Sequence, residues 1–246
     1  MSTYVSPDKD PIGQALIDYI QNPSQNKDSI IHVDTNITED ESIPTPYFFR
    51  EYDEMPLSER TALDISKGKV LDLGAGSGVH SLYLQQKGLE VHPIDISELS
   101  VEVMKKRGIQ NVRLKDFKEL QDEKYDTILL LMNGIGMVQN ISNLPKYLEH
   151  FKNLLTPEGQ ILIDSTDILY MFEEEGGSYL IDLNGEYYGQ MIYFVSYKDI
   201  KGDAFDWLYV DFGLLKDAAE SVGLNCEQVV VDEEEGHYLA KLTIKF

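Results

Sequence analysis

The chain has 246 residues, of which 42% are hydrophobic and 26% charged, a composition expected of a globular protein with enough length to bury a substantial core. Its 21 Lys and Arg stand against 43 Asp and Glu, a net charge of −22, which argues against nucleic acid as a partner because neutralising phosphates needs a concentrated basic patch. No apolar run approaches the roughly 18 residues of a membrane span, the start MSTYVSPDKDPIG lacks the regions of a secretory signal, and Cys226 is the single cysteine. Together these point to a cytoplasmic protein with no membrane contact, no internal disulfide and no metal site.

In chain order, residues 1–66 read as a helical and irregular cap segment whose stretch IPTPYFFREYDEMPLSER mixes prolines with aromatics. From residue 67 to 246 the pattern is that of one domain. KVLDLG is a short buried strand, and VHSLYLQQKG a helix stopped by Gly88. LEVHPIDI is a second strand, ELSVEVMKKRG a second helix, and NVRLKDF a third strand. Lys105, Lys106 and Arg107, the densest basic cluster, close that second helix, where cations suit the helix dipole. KYDTILLLMN is a fourth strand, its near-continuous Ile and Leu suiting a strand covered on both faces. NLPKYLEHFKNLL is a helix ended by the turn signal TPEG, and QILIDSTD a fifth strand. Such alternation predicts an α/β fold, an open doubly wound, mostly parallel sheet with right-handed crossovers.

The rhythm then changes. Residues 168–212 read as an inserted cap. In it GQMIYFVSYKD and AFDWLYVDF, joined by IKGD, form a β-hairpin carrying Tyr193, Tyr197, Trp207 and Tyr209. FGLLKDAAESVGL is a helix stopped by Gly223, and NCEQVVVDEE with HYLAKLTIKF makes a final hairpin around Glu235-Gly236. The acidic triplets Glu173–Glu175 and Glu233–Glu235 read as solvated surface.

The stretch VLDLGAGSGVHSLYLQQKGLEVHPIDIS holds the candidate site. A strand that turns at once into a helix needs residues without a Cβ, and glycines let a ligand reach backbone amides at the positive end of the helix. Gly74, Gly76 and Gly78 meet that need. The nicotinamide fingerprint G-x-G-x-x-G/A fits poorly, since Val79 stands where a small residue belongs, and no G-x-x-x-x-G-K-[ST] occurs. The pattern is instead Asp72-x-Gly74-x-Gly76-x-Gly78, and VLDLGAGSG resembles the first motif of the class I S-adenosylmethionine-dependent methyltransferases. The resemblance covers residues 68–167 and is looser in the C-terminal third.

The resemblance implies a seven-stranded Rossmann-like sheet with one antiparallel strand near the C-terminus and S-adenosyl-L-methionine as cofactor. It implies that Asp72, Gly74, Ala75, Gly76 and Gly78 cradle that cofactor. Asp95, followed by Ile96, would accept from its ribose hydroxyls, Asp116 from the adenine amino group, and Phe117 would pack on the ring. Asn133 and Gly134, in LMNGIGM, would face the methionyl end. For several of these a plainer reading stands beside the functional one: Asp72 as an anchor of the glycine loop, Asp116 as a turn cap beside a core Phe, His80 as an ordinary core or surface histidine.

Arg50, within Tyr47-Phe48-Phe49-Arg50, is expected to clamp the cofactor carboxylate, with Tyr47 or Tyr52 lining the methyl site; ordinary packing is the alternative. Catalytic candidates are Tyr47, Asn133 and Asp164, and Asp167 or Glu54 would be further bases if the acceptor carries a proton to remove. The motif after the fourth strand, MNGIG, departs from the [DN]-P-P-[YF] of many amino-group methyltransferases of nucleic acid and protein. The acceptor is therefore expected to be a small molecule, for a monomer or homodimer. The competing classes are a nicotinamide-dependent oxidoreductase and a cofactor-binding protein acting on a protein partner.

Overall fold

The structure, a computed structural model, describes residues 4–174, 176–182, 185–232 and 236–245. Its elements in chain order are α1 (Pro11–Gln21), β1 (Ile30–Thr35), β2 (Glu41–Pro44), α2 (Leu57–Ile65), β3 (Lys69–Leu73), α3 (Val79–Gln86) and β4 (Glu90–Asp95). There follow α4 (Glu98–Lys106), β5 (Arg113–Leu114), β6 (Tyr125–Leu130), α5 (Leu144–Asn153), β7 (Leu155–Thr166), β8 (Glu173–Glu174) and β9 (Ser178–Tyr179). The last are β10 (Gln190–Tyr197), β11 (Ile200–Lys201), β12 (Phe205–Leu208), α6 (Phe212–Ser221), β13 (Leu224–Asp232) and β14 (His237–Ile244). The main sheet has seven strands in the order β13-β14-β7-β6-β3-β4-β5. It is mostly parallel, and β14 runs antiparallel to both its neighbours, as expected from the sequence. Among the described residues no helix is long and apolar enough to cross a membrane.

The chain divides into two compact units. The first comprises residues 1–55, 66–123 and 193–205. In it β3, β4 and β5 pair in parallel, with Val70 opposite Val91 and Leu73 opposite Ile94. The third predicted strand shrinks to Arg113–Leu114, so Asp116 and Phe117 lie in the 3-10 turn that follows rather than on a strand. The segment expected to be helical or irregular holds two strands. β1 pairs with β2 on one side and with Tyr193–Ser196 of β10 on the other, both antiparallel. The cause is legible in IIHVDT, whose burial alternates along its first four residues as on a half-buried strand. α1 covers this small sheet with Ala15 against Ile31, Val33, Val195 and Tyr197, and packs Leu16 and Ile17 with Val103.

The inserted hairpin also differs from expectation. Its tight turn is Lys198-Asp199, with Lys198 at φ 51, and Ile200–Lys201 of the expected turn IKGD pairs back on β10 as β11.

The second unit comprises residues 56–65, 124–192 and 206–246. β6 pairs in parallel with β7, and β14 pairs antiparallel with β7 and β13. Ile128, Leu129, Leu130, Ile161, Leu162 and Ile163 are fully buried, which is why both strands read as unbroken apolar runs. TPEG does not separate helix from strand. The register steps from Tyr125 opposite Leu155 to Thr127 opposite Gln160, so these four residues loop out within β7. Gly159 is required there, since a Cβ would meet the Tyr125 carbonyl oxygen at 2.9 Å. The turn of the final hairpin, with Glu233–Glu235, and Glu175 of the other triplet lie outside the described residues.

Candidate cofactor site

In the first unit, β3 delivers the chain directly into the glycine loop. Gly74, Gly76 and Gly78 all have left-handed φ, at 64, 56 and 75°. Their roles differ. A Cβ on Gly78 would lie 2.3 Å from Ile109 Cδ1 and 2.8 Å from Met104 Cγ, so this glycine lets the loop press on the end of α4. A Cβ on Gly76 would find its nearest neighbour, the Gly74 carbonyl oxygen, at 4.0 Å. Protein packing leaves the space over Gly76 clear, and a ligand can approach its backbone there.

Asp95, at the end of β4, closes the same loop. Its Oδ2 accepts from Gly76 N at 2.8 Å and its Oδ1 from Ser97 N at 2.8 Å. Each oxygen retains a further lone pair for a ligand hydroxyl. Desolvation, with the nearby charge of Asp10 adding to it, pushes the Asp95 carboxyl up to about 6 against the backbone amides of Ser97, Gly76 and Ile96 that hold it down. Asp10 is itself buried and raised by desolvation; it caps α1 through Gly13 N at 2.8 Å and accepts from Ser97 Oγ. Ser97 in turn caps α4 through Ser100 N at 2.9 Å. Two helix starts and the cradle acid thus share one polar chain. Ile96 is exposed, its carbonyl accepting from Val5 N at 3.1 Å.

Asp72 is buried beneath the loop and accepts from Ser81 Oγ at 2.6 Å. Desolvation raises its carboxyl while His80, also buried, opposes that rise through its charge. Asp72 thereby ties the end of β3 to the first turn of α3. Asp116 caps the 3-10 turn Phe117–Glu119 through Lys118 N at 2.9 Å, and Phe117 beside it is buried under the Lys118 ammonium at 5.5 Å. Ala75 packs against the Val101, Met104 and Ile109 cluster.

The segment Tyr47–Arg50 is tied to this cradle. Ser77 Oγ donates to the Phe48 carbonyl. Arg107 Nη1 donates to the Ser77 carbonyl at 2.8 Å and to its Oγ at 3.1 Å, and its guanidinium stacks on Phe49 at 5.1 Å. Helix-dipole complementarity suffices for Lys105 and for Lys106, which pairs with Glu102 at 2.7 Å, but Arg107 instead fastens two loops together. Arg50 is buried, donates from Nη1 to the Tyr47 carbonyl at 2.6 Å and lies over the Tyr47 ring at 4.0 Å. Tyr52 stacks on Tyr83 at 4.5 Å, and Glu54 closes a capping box with Glu51.

In the second unit the end of β6 carries a different loop. Met132 and Asn133 both have left-handed φ, at 60 and 55°. Left-handed backbone costs residues with a Cβ about 1–2 kcal/mol each, less for Asn. Asp164, at 1% exposure, holds the pair: its Oδ2 accepts from Met132 N at 3.0 Å and its Oδ1 from Asn133 N at 2.7 Å. Thr166 Oγ1 donates to Asn133 Oδ1 at 3.1 Å and contacts His237 Nδ1 at 3.0 Å. His237 Nε2 contacts Ser58 Oγ at 2.9 Å and stands 3.6 Å from Asp164 Oδ2. Burial alone would lower the His237 pKa, but Asp164, with Glu59 and Asp232, raises it above the usual histidine value. Gly134 begins a 3-10 turn, and Gly136 in that turn has no room for a Cβ because the Trp207 ring covers it.

The remaining candidates are placed as follows. Asp167 accepts from Leu169 N at 3.0 Å and from Tyr188 OH at 2.7 Å. Tyr197 is a core residue, Tyr193 stacks on Phe205 at 5.6 Å, and Tyr209 donates its backbone N–H to the Gly189 carbonyl at 2.8 Å. Burial pushes the Cys226 thiol up to about 12, so it is no thiolate near neutrality. The sequence reading passed over Asp10, Ser97, Ser77, Thr166 and His237. Asp10-Pro11 carried a signal, a capping acid before a proline at the first helical position; the others act across long sequence separations that no local pattern marks.

An open α/β sheet with a glycine loop at the first strand and an acid ending the second defines a Rossmann-like nucleotide-cofactor fold. A family model described as a methyltransferase domain matches residues 65–211, more than half of the chain. A solved S-adenosylmethionine-dependent methyltransferase from Bacteroides fragilis, in complex with S-adenosyl-L-homocysteine, is 42% identical with a TM-score of 0.91, covering 99% of this chain and 98% of that one. An uncharacterized methyltransferase of Staphylococcus carnosus is 30% identical over 183 residues, 74% of this chain and 80% of the relative. The putative methyltransferase YqeM of Bacillus subtilis is 30% identical over 104 residues, and the chain spans 42% of its length. The chain belongs to the class I S-adenosylmethionine-dependent methyltransferase family.

Proposed function

We propose that the protein transfers a methyl group from S-adenosylmethionine to a small-molecule acceptor. The observation that carries this reading is the clear space over Gly76 beside the Asp95 carboxylate. The residues fit the cofactor: a left-handed glycine without a Cβ, an acid with spare lone pairs for two ribose hydroxyls, and a buried acid-aromatic pair at Asp116 and Phe117 for the adenine. When bound, the cofactor supplies an electrophilic methyl already activated by its sulfonium. The chain's task is then alignment and exclusion of water, and positioning of this kind supplies about 7–11 kcal/mol.

Arg50 serves that task by presenting its guanidinium to the methionyl carboxylate, with Tyr47 as the platform beneath it. Asp164 acts by holding the Met132–Asn133 backbone through both its oxygens. Residues 168–212 act as the acceptor-side cap of the domain spanning 67–246. The charge of −22 favours a neutral or cationic metabolite over nucleic acid.

Titration calorimetry with S-adenosylhomocysteine and with NAD tests the reading. Micromolar binding of the first and no heat from the second is expected, and the reverse overturns it. Arg50→Ala should weaken S-adenosylhomocysteine binding at least tenfold, and an unchanged dissociation constant removes the clamp. Mass spectrometry of a metabolite panel incubated with labelled S-adenosylmethionine then identifies the acceptor, and label found on protein or RNA alone would refute a small one.

A further inference from the structure

Two backbone amides aim the Asp95 carboxylate, and they are secured in different ways. Gly76 N, in the glycine loop, meets Oδ2, and Ser97 N, at the start of α4, meets Oδ1. Ser97 is held from the N-terminal segment. Its Oγ accepts from Ser100 N at 2.9 Å and donates to Asp10 Oδ2, while the Ile96 carbonyl before it accepts from Val5 N at 3.1 Å. Asp10 does more than a helix cap requires. A cap needs one oxygen, and Oδ1 supplies it to Gly13 N at 2.8 Å. Oδ2 is spent on Ser97 in the interior, where among the described residues no cation balances the charge. A buried carboxylate without a cation costs stability, so stability alone does not account for it. Gly13 belongs to the same arrangement. A Cβ there would strike Asp10 Oδ2 and lie 2.7 Å from Leu99 Cβ, so its absence lets α1 bring the acid onto the start of α4.

We propose that Asp10 is a positioning residue for the cofactor: through Ser97 it fixes the backbone amide that aims the Asp95 carboxylate at the ribose hydroxyls. This rests on the cofactor assignment above and adds the source of the aim, which lies on a separate element of the chain. A carboxylate that accepts from two neighbouring hydroxyls must not turn about its Cβ–Cγ bond, and each amide removes part of that freedom. Asp10 also reaches Asp95 by charge. The groups acting on the Asp95 carboxyl are the amides of Gly76, Ile96 and Ser97, which favour its ionised form, and Asp10 at the start of α1, which opposes it. Removing the Asp10 charge while keeping the contact with Ser97 therefore lets Asp95 ionise at lower pH. A role confined to capping α1 would lower the melting temperature and leave cofactor affinity where it was.

Calorimetry with S-adenosylhomocysteine at about pH 8, where Asp95 is ionised with or without its neighbour, isolates the positioning. Asp10→Ala should weaken binding about tenfold in the parent protein. In the Asp95→Asn background, which has no carboxylate to aim, the same change should cost no more than about twofold. Asp10→Asn keeps an oxygen for Gly13 N and sets an amide nitrogen against Ser97 Oγ, so it should restore affinity to within about threefold of the parent. Its affinity should also reach the upper plateau at a lower pH than the parent's, because the charge opposing Asp95 is gone. Parent-like affinity in Asp10→Ala, a loss that persists in the Asp95→Asn background, failure of the Asn variant to restore binding, or superimposed pH profiles each overturns the proposal. Should Asp10→Ala fail to fold, the affinity and pH profile of Asp10→Asn decide. If the parent protein itself gives no heat with S-adenosylhomocysteine, the cofactor assignment falls first and takes this role of Asp10 with it.

Discussion

Beyond β3 the chain turns on Gly74, Gly76 and Gly78; beyond β6 it turns on Met132 and Asn133. Both turns leave the end of a parallel strand with left-handed backbone, and they reach it by opposite means. The first removes the Cβ atoms, so the backbone is unstrained and the space over Gly76 stays clear. The second keeps its side chains and holds a strained backbone with a buried carboxylate, Asp164, on two successive amides. A glycine turn yields room; a side-chained turn yields a placed functional group at the expense of a supporting acid.

The comparison can be broken most severely at Asp164. Asp164→Ala should lower stability by about 3–5 kcal/mol, since it strips both amides of their acceptor and His237 of its counter-charge. Thermal denaturation should register a fall of roughly 10 °C. A melting point within a degree or two of the parent would show that the left-handed pair needs no clamp.

Next come the two glycines with different neighbours. Gly78→Ala should lose about 2–4 kcal/mol by thermal or urea denaturation, because strain at φ 75° adds to the collision with Ile109 and Met104. Gly76→Ala should lose about 1 kcal/mol and yet abolish most S-adenosylhomocysteine binding, because its methyl group enters the clear space. An exchange of those two outcomes would reverse the roles assigned here.

Asp95 sharpens the contrast through pH. Burial and the nearby Asp10 push its carboxyl up to about 6, from the ordinary aspartate value of 3.8, so the folded state favours the protonated form more than the unfolded chain does. Its stabilising contribution is present below the unfolded value and is lost as pH rises through about 6. The loss amounts to at most about 3 kcal/mol. Melting temperature of the ligand-free protein should therefore carry a falling component between about pH 4 and 6 that Asp95→Asn lacks. S-adenosylhomocysteine affinity should rise between about pH 5 and 7, as the ionised acid accepts the ribose hydroxyls. Parallel pH curves for the parent and Asp95→Asn would remove this coupling. The smallest effect is expected at Met132→Gly, a change within about 1 kcal/mol, where relief of left-handed strain offsets added chain entropy.

The parallel strands and their helices were legible because each is a local pattern: an apolar run of strand length, then a periodic face closed by Gly88, Gly108 or Gly223. The loop acids were legible because strand ends are. What escaped was built from distant segments. β1 and β2 are short, and β1 completes its pairing with β10, more than 150 residues away, so IIHVDT alternated without a visible partner. TPEG is a good turn sequence, and the structure uses it as a turn, but inside β7 rather than before it. Arg107 carried an adequate local explanation that hid its contact with Ser77. His237 gave no sign of itself, because its partners come from two distant stretches of chain, Ser58 from α2 and Asp164 and Thr166 from β7.

The pairing of β1 with β10 also sets an order of events at the ribosome. Ile31 and Val33 emerge early, yet Val195, which shares their cluster, is made some 160 residues later. At a synthesis rate of about 5–20 residues per second, that interval is on the order of ten seconds. Throughout it, one edge of β1 displays unsatisfied peptide groups, and a nascent strand in that state invites mispairing with neighbouring chains. Translation speed and chaperone supply, more than equilibrium stability, should therefore govern how much of this protein reaches its folded state in a cell.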